Sequence, residues 1–296
     1  MAIDVPMTIK TKKSRYKIPR QLSEPFFDKY ISYHLSNGSR GPVRSISNFK
    51  IFNYVLRIIH TGLQWEELEI QKNKDGKPEI SYSRIFRIFQ SWCNDGSLNK
   101  VFDGTLVVLT EHNKIDLRVA HGDGSLTPAK KGGELIGYNG HKKIKGDAVI
   151  PVVDRNVNVI SPYTTAPANK NESPLLHEVI IKFKAICRKT GLSFKGIVFS
   201  WDAAIDCPKN RKIIFNAGMT PNINPNKRNR KKTKRGRKQI FNLDIYKERF
   251  RTIERLFAWE DSFKKLLVRF ERKTKNHFGM KLIAYSMINL RHFCWK

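Results

Sequence analysis

The stretch "VFSWDAAIDCPKNRK", Val198 to Lys212, decides the fold. It opens with an apolar run and then places two aspartates four apart, Asp202 and Asp206, with Pro208 close behind. On one continuous helix the two acids share a face and pair as ligands. The apolar run "FKGIVFSW" instead has the length of a strand, so the chain turns after Trp201 and Pro208 fits the first turn of a following helix. This leaves Asp202 at a strand tip and gives Asp206 the task of capping the next helix.

The flanking segments extend the pattern. "AVIPVVDRNVNVISPYTT" carries two β-rich runs around Asp154, Arg155 and Asn156, a hairpin signal. "SPLLHEVIIKFKAICRKTG" sets Leu176, Val179, Ile180 and Phe183 on one helical face and closes at Gly191. "PKNRKIIFNAG" is a further helix ending at Gly218. Hairpin, helix, strand and helix in succession predict an α/β domain, a mixed sheet flanked by helices.

Composition indicates the partner. The chain has 56 Lys and Arg against 26 Asp and Glu, a net charge of +30, which directs it toward a polyanion. Nucleic acid is favoured over membrane, because no apolar run approaches the roughly 18 residues of a membrane span. The start lacks the apolar core of a signal peptide, so a cytoplasmic, nucleoid-associated protein is expected. Cys93, Cys187, Cys207 and Cys294 form no C-x-x-C pair and fit reduced, buried thiols rather than a zinc site or a disulfide framework.

Three regions succeed one another along the chain. Residues 1–44 are polar, basic and broken by proline and glycine, a loose arm with a short helix near "EPFFDKYISYHL". Residues 45–112 carry Phe49, Phe52, Leu56 and Ile59 on one helical stripe between Ser47 and Gly62, and Ile85, Phe89 and Trp92 on another, with Arg84 and Arg87 off it. These helices predict a small all-α, helix-turn-helix-like module whose basic face suits DNA. Residues 113–296 form the α/β domain, interrupted by the basic block 226–238 and continued by a long helical pattern from Tyr246 and a last apolar helix. Within the block, Lys227, Arg228, Arg230, Lys231, Lys232, Lys234, Arg235, Arg237 and Lys238 form a candidate phosphate-binding segment, or else a solvated loop.

In so basic a chain the scarce acids are informative. Asp123 stands between Gly122 and Gly124 after a short strand, where missing side chains admit a ligand or a close backbone approach. Asp202 ends the apolar run, and Glu254 lies in the long helix between Ile253 and Arg255. Carboxylates of this kind hold hard divalent cations such as Mg²⁺, and a pair of such ions clamps the oxygens of an in-line phosphoryl displacement. Each acid also has a plain structural use: a turn for Asp123, a helix cap for Asp202, an ion pair for Glu254.

"DGSL" at 123–126, "GHKKIKGDAVIPVVD" at 140–154, "WDAAIDCPKNRKII" at 201–214 and "ERFRTIERLFAWEDSFKKLLVRFER" at 248–272 resemble bacterial insertion-sequence transposases of the DDE type, in the insertion sequence five family. The resemblance implies a ribonuclease-H-like core in which Asp123, Asp202 and Glu254 are the catalytic acids holding two Mg²⁺ ions, with Mn²⁺ as a substitute. It also implies double-stranded DNA as partner, both terminal inverted repeats and target, and a homodimer when two ends are synapsed. The expected chemistry is strand cleavage by water at the transposon ends, then attack of the freed 3′-hydroxyl on target DNA. A transposase-derived DNA-binding protein without catalysis and a metal-dependent nuclease are the alternatives. His141, Lys142, Lys145, Arg251 and Arg255 are further candidate DNA contacts. The family's tyrosine-arginine-glutamate-lysine box sets tyrosine seven and arginine four before the glutamate. Here Tyr246 lies eight before Glu254 and Phe250 takes the arginine position, flanked by Arg249 and Arg251. Within a helix, one extra residue rotates Tyr246 by about 100° relative to Glu254.

Overall fold

The computed structural model describes residues 17–38, 46–226 and 239–294. The chain divides into two compact units. One comprises the described residues of Leu109–Leu126 and Gly137–Ala258 and holds most of the sheet; the other comprises the described residues of Tyr16–Val108, Thr127–Ile136 and Trp259–Lys296 and is mainly helical.

In the sheet unit, β1 (Val119–Gly122) pairs antiparallel with β4 (Ile144–Asp154) and parallel with β6 (Val198–Trp201), which pairs parallel with β7 (Thr220–Ile223). β5 (Val159–Pro167) forms the expected hairpin with β4, turning at Arg155–Asn158. The short strands β2 (Ser125–Pro128) and β3 (Gly137–Asn139) complete the seven-stranded sheet. The order β5-β4-β1-β6-β7, with β4 antiparallel to β5 and β1 and the remaining pairs parallel, is a mixed sheet as the sequence predicts.

Alternation along the strands assigns the two faces. Phe199 meets Phe183 of α5 (Glu172–Lys189) at 5.8 Å between ring centroids, so this parity faces α5. Val119 and Val198 cluster with Ile245 of α7 (Leu243–Asp261), so the opposite parity faces α7. The expected α5 residues Leu176, Val179, Ile180 and Phe183 are all buried. After β6, a 3₁₀ turn (Ala203–Ile205) leads into α6 (Pro208–Asn216), which begins at Pro208 as predicted.

In the helical unit, α2 (Asn48–Thr61) starts where the Ser47 hydroxyl accepts from the Lys50 amide and stops at Gly62, whose φ of 78° suits glycine. α3 (Tyr82–Asn94) buries Ile85, Phe89 and Trp92 and exposes Arg84 and Arg87, as expected. The 62–81 connection carries a Lys72↔Pro78 bridge and is longer than the roughly three- to four-residue turn of a compact helix-turn-helix.

Three expectations change. Within the predicted loose arm, α1 (Glu24–Tyr30) buries Phe27 and Tyr30, and the Leu22 amide donates to Asn53 Oδ1 at 2.8 Å. Residues 17–38 are therefore part of the helical unit. A helix not anticipated, α4 (Ser97–Glu111), follows α3. The long helical pattern after Tyr246 ends at Asp261, and the described chain from Trp259 onward belongs to the helical unit, where α8 (Thr274–Leu290) is buried along most of its length and packs against α2 and α3. A Cβ on Gly279 would meet Cys93 Sγ at 2.4 Å, and Asn289 Nδ2 donates to Thr105 Oγ1 at 3.1 Å. The α/β domain expected over 113–296 thus yields its C-terminal segment to the helical unit.

Candidate active site at the strand tips

Parallel pairing of His121 with Ser200 carries through to the residues just beyond the strands, so Asp123 and Asp202 leave neighbouring tips side by side. Their parity points both toward α7. There the Arg249 guanidinium donates to Asp123 Oδ2 at 3.0 Å and approaches Asp202 Oδ2 at 4.0 Å. Arg249 is 5% exposed, its Nε has no acceptor, and its guanidinium lies 5.7 Å from the Tyr246 ring. Burial raises the Asp123 carboxyl above the usual range; Arg249 opposes this and the Asp202 charge adds to it.

The glycines flanking Asp123 serve close approach, as expected. A Cβ on Gly122 would stand 1.9 Å from the Trp201 ring, and one on Gly124 would stand 2.3 Å from Glu172 Oε1. Glu172, in the first turn of α5, also accepts from Trp201 Nε1 at 3.0 Å. It thereby touches the segments that carry both aspartates. Burial, then the Asp123 charge, pushes its carboxyl up to about 7.

Behind this cluster, Arg155 Nε and Nη2 reach Glu248 at 2.6 and 2.7 Å, and His121 Nε2 lies 3.3 Å from it. Burial raises the Glu248 carboxyl, but the His121 and Arg155 hydrogen bonds prevail and hold it down at about 2. Burial keeps His121 below its ordinary value despite Glu248.

The remaining candidates fall elsewhere. Glu254 is exposed on α7, while Ile253, four residues after Arg249, is buried. Tyr246 and Arg249 keep the box's own spacing of three, so the extra residue falls between Arg249 and Glu254 and turns Glu254 off the face that meets the aspartates. Asp206 does not cap α6: Cys207 is the N-cap, and Asp206 pairs with Arg211 at 2.8 Å and accepts from the Asn226 amide at 2.8 Å. Asp202 Oδ1 accepts from the Ala204 amide at 2.9 Å, so it also caps the 3₁₀ turn. His141 and Lys142 lie exposed in the β3–β4 turn, Lys145 is exposed on β4, and the Lys142 charge reaches Asp123. Arg251 and Arg255 are exposed on α7. Lys227, Arg228, Arg230, Lys231, Lys232, Lys234, Arg235, Arg237 and Lys238 lie outside the described residues.

Two residues at the strand tips are not among the sequence candidates: Arg249, three after Tyr246, and Glu172, an acid in a helix first turn, where the dipole favours it. The donors at the strand tips are carboxylate oxygens, the kind a hard divalent cation takes, and a buried cationic side chain now stands between them. The site thus fits such an ion chemically. Among the described residues, no three acidic, histidine or cysteine side chains are close enough, as they stand, to hold one.

No curated protein matches the chain. Two solved structures are similar: "Mos1 transposase paired-end complex with left transposon end", at 10% identity and a TM-score of 0.27, covering 67% of this chain and 65% of that one, and "Crystal structure of the Mos1 mariner paired end complex with Mn", at 12% identity and a TM-score of 0.27, covering 80% and 83%. The chain therefore spans just under two thirds of the first of these. The family model "Transposase DDE domain" matches residues 100–287, more than half of the chain and inclusive of both aspartates. The chain belongs to the transposase DDE domain family.

Proposed function

We propose that this protein is a DNA transposase that cleaves strands at transposon ends and joins the freed 3′-hydroxyl to target DNA. The observation that carries the reading is the pair Asp123 and Asp202 on adjacent strand tips, facing a buried arginine, within a chain of net charge +30. Membership of the DDE family supports it, as does the insertion-sequence-five resemblance of "WDAAIDCPKNRKII" and "IERLFAWEDSFKKLLVRFER".

Asp123 and Asp202 would hold Mg²⁺, or Mn²⁺ in its place, at two positions. Bound there, such ions would supply charge stabilisation for an in-line phosphoryl displacement. The chain's own residues do the rest. Gly122 and Gly124 let Trp201 and Glu172 close against the backbone around Asp123, fixing its direction. Arg249 compensates the two carboxylates before substrate arrives. His141, Lys142, Lys145, Arg251 and Arg255, with the 226–238 block, attract phosphates of terminal repeats and target, and synapsis of two ends calls for a homodimer. No described helix is long and apolar enough to cross a membrane.

The exposed position of Glu254 favours a second reading, a transposase-derived protein that binds ends without cutting them. Incubation of labelled terminal-repeat DNA with the protein and Mg²⁺ separates the two. Cleavage with joined products supports the first; tight binding of the ends without cleavage in Mg²⁺ or Mn²⁺ supports the second.

A further inference from the structure

The helical unit contains a groove of about 740 Å³, and all of its lining residues belong to that unit. The volume falls within the roughly 300 to 1,000 Å³ of small-molecule sites. Aromatic rings make much of its wall. Tyr82, Phe86 and Gln90, each four apart, present one face of α3 to it. Trp65, from the α2–α3 connection, packs on Phe86 and Phe89 at 4.9 and 5.6 Å between ring centroids, which fixes its plane. Phe270, on the approach to α8, lines the groove while staying 46% exposed.

The polar lining is cationic. Lys265 is buried, lies 5.7 Å from the Phe270 ring and stands 3.9 Å from Glu271, whose charge it balances. Lys131, Arg272 and Lys273 are exposed at the rim and form no ion pair among the described residues, with Glu66 the other acid of the lining. Glu134, close by, accepts from the Thr274 amide at 3.0 Å. Asn276 also lines the groove. It is 5% exposed, yet its side-chain amide has no hydrogen-bond partner among the described residues, where buried amides ordinarily have one. The segment that carries Phe270, Arg272 and Lys273 lies outside helix and strand but is held in place. Fully buried Arg269 donates to the carbonyls of Glu271, Glu134 and Arg272 at 2.8, 2.9 and 3.2 Å. Such a groove is preorganised for what it binds.

We propose that this groove holds an unpaired nucleotide of a DNA strand, with its base against the Trp65, Phe86 and Phe270 rings and its phosphates against Lys131, Arg272 and Lys273. Every base has a π face to lay on such rings, and the Asn276 amide offers both a donor and an acceptor to a base edge. An uncharged ligand would leave the three rim cations without a partner. Duplex DNA would satisfy the cations but keep its bases stacked on one another, away from the rings. The proposal goes beyond the transposase reading and uses neither Asp123 nor Asp202.

The test is fluorescence anisotropy on the full-length protein with labelled oligothymidylate of about 12 nucleotides, beside an abasic strand and a duplex of the same length. Salt of about 200 mM weakens binding that rests on charge alone. Phe270→Ala is expected to weaken oligothymidylate binding by on the order of tenfold and to leave the abasic strand and the duplex at wild-type affinity. If Phe270→Ala fails to fold, Phe270→Leu, which keeps apolar bulk without a π face, must show the same selective weakening. Wild-type affinity for oligothymidylate in the folded variant, or an equal loss on all three probes, overturns the proposal. Displacement of oligothymidylate by thymidine monophosphate at the same nucleotide concentration would assign the groove to a free nucleotide and overturn the strand as its occupant.

Discussion

Arg249 donates to Asp123 at 3.0 Å from a position that is almost wholly buried, and the same guanidinium lies 4.0 Å from Asp202. One arginine thus balances two carboxylates that chemistry would otherwise assign to cations. Arg249→Ala leaves both acids facing each other without compensation. The cost is expected near 2 kcal/mol, below the roughly 3 to 5 kcal/mol of a fully buried pair, because the Asp123 side chain keeps 24% exposure. Thermal denaturation of the variant should show a lowered Tm that millimolar Mn²⁺ restores by more than it raises the wild type. Equal responses to Mn²⁺ would show that Arg249 does not stand in for the ion.

Gly122 and Gly124 differ in what stands against them. An added Cβ at Gly122 meets a Trp201 ring that is itself buried and stacked on Phe199, whereas one at Gly124 meets the flexible end of Glu172. Gly122→Ala is therefore expected to cost about 1 to 3 kcal/mol, the range for overpacking, and Gly124→Ala distinctly less. Urea denaturation of the two variants measures the difference; equal losses would contradict it.

The Glu248 network sets a pH dependence. Its folded pKa, about 2, lies below the unfolded value near 4.5, so its contribution is complete above the unfolded value and is lost as pH falls toward 2. That contribution is roughly 3 kcal/mol at most. Glu248→Gln should lower stability by a constant amount above about pH 5, with the gap closing on acidification. His121, held neutral by burial, acts in the same direction at higher pH: stability falls as pH drops through the ordinary histidine value, near 6.5. Denaturation curves from pH 3 to 8 for wild type and variant test both.

Much of this architecture is visible in local sequence. The β4–β5 hairpin, the buried face of α5, the stop at Gly62 and the strand ending at Trp201 all arise from short-range pattern. So do Asp123 and Asp202, since a glycine-flanked acid and an acid closing an apolar run announce strand tips. The features hidden from local pattern depend on long-range packing or on helical phase. Glu172 meets Gly124 and Trp201 only after α5 folds back across the sheet. One residue between Arg249 and Glu254 decides which of them α7 turns inward, and a family pattern carried over by identity alone misses that rotation. The place of 259–294 in the helical unit likewise reflects the burial of α8 beyond its first turn, a property of its neighbours as much as of its own residues.

Charge alone supports a further prediction for the 226–238 block. Each phosphate contact contributes about −0.9 to the slope of log affinity against log salt. Replacing its lysines and arginines with glutamine should flatten that slope for duplex DNA, measured by fluorescence anisotropy across about 50 to 200 mM salt. An unchanged slope would show that these residues do not meet phosphate.

The most direct measurement is strand cleavage of a labelled duplex bearing candidate terminal inverted repeats, in Mg²⁺, with wild type beside Asp202→Asn. Wild-type protein should nick the ends and yield joined products, and Asp202→Asn should lower the rate by on the order of a hundredfold or more while binding the ends as before. Cleavage that proceeds equally in both would contradict the assignment of the strand-tip aspartates as the catalytic centre.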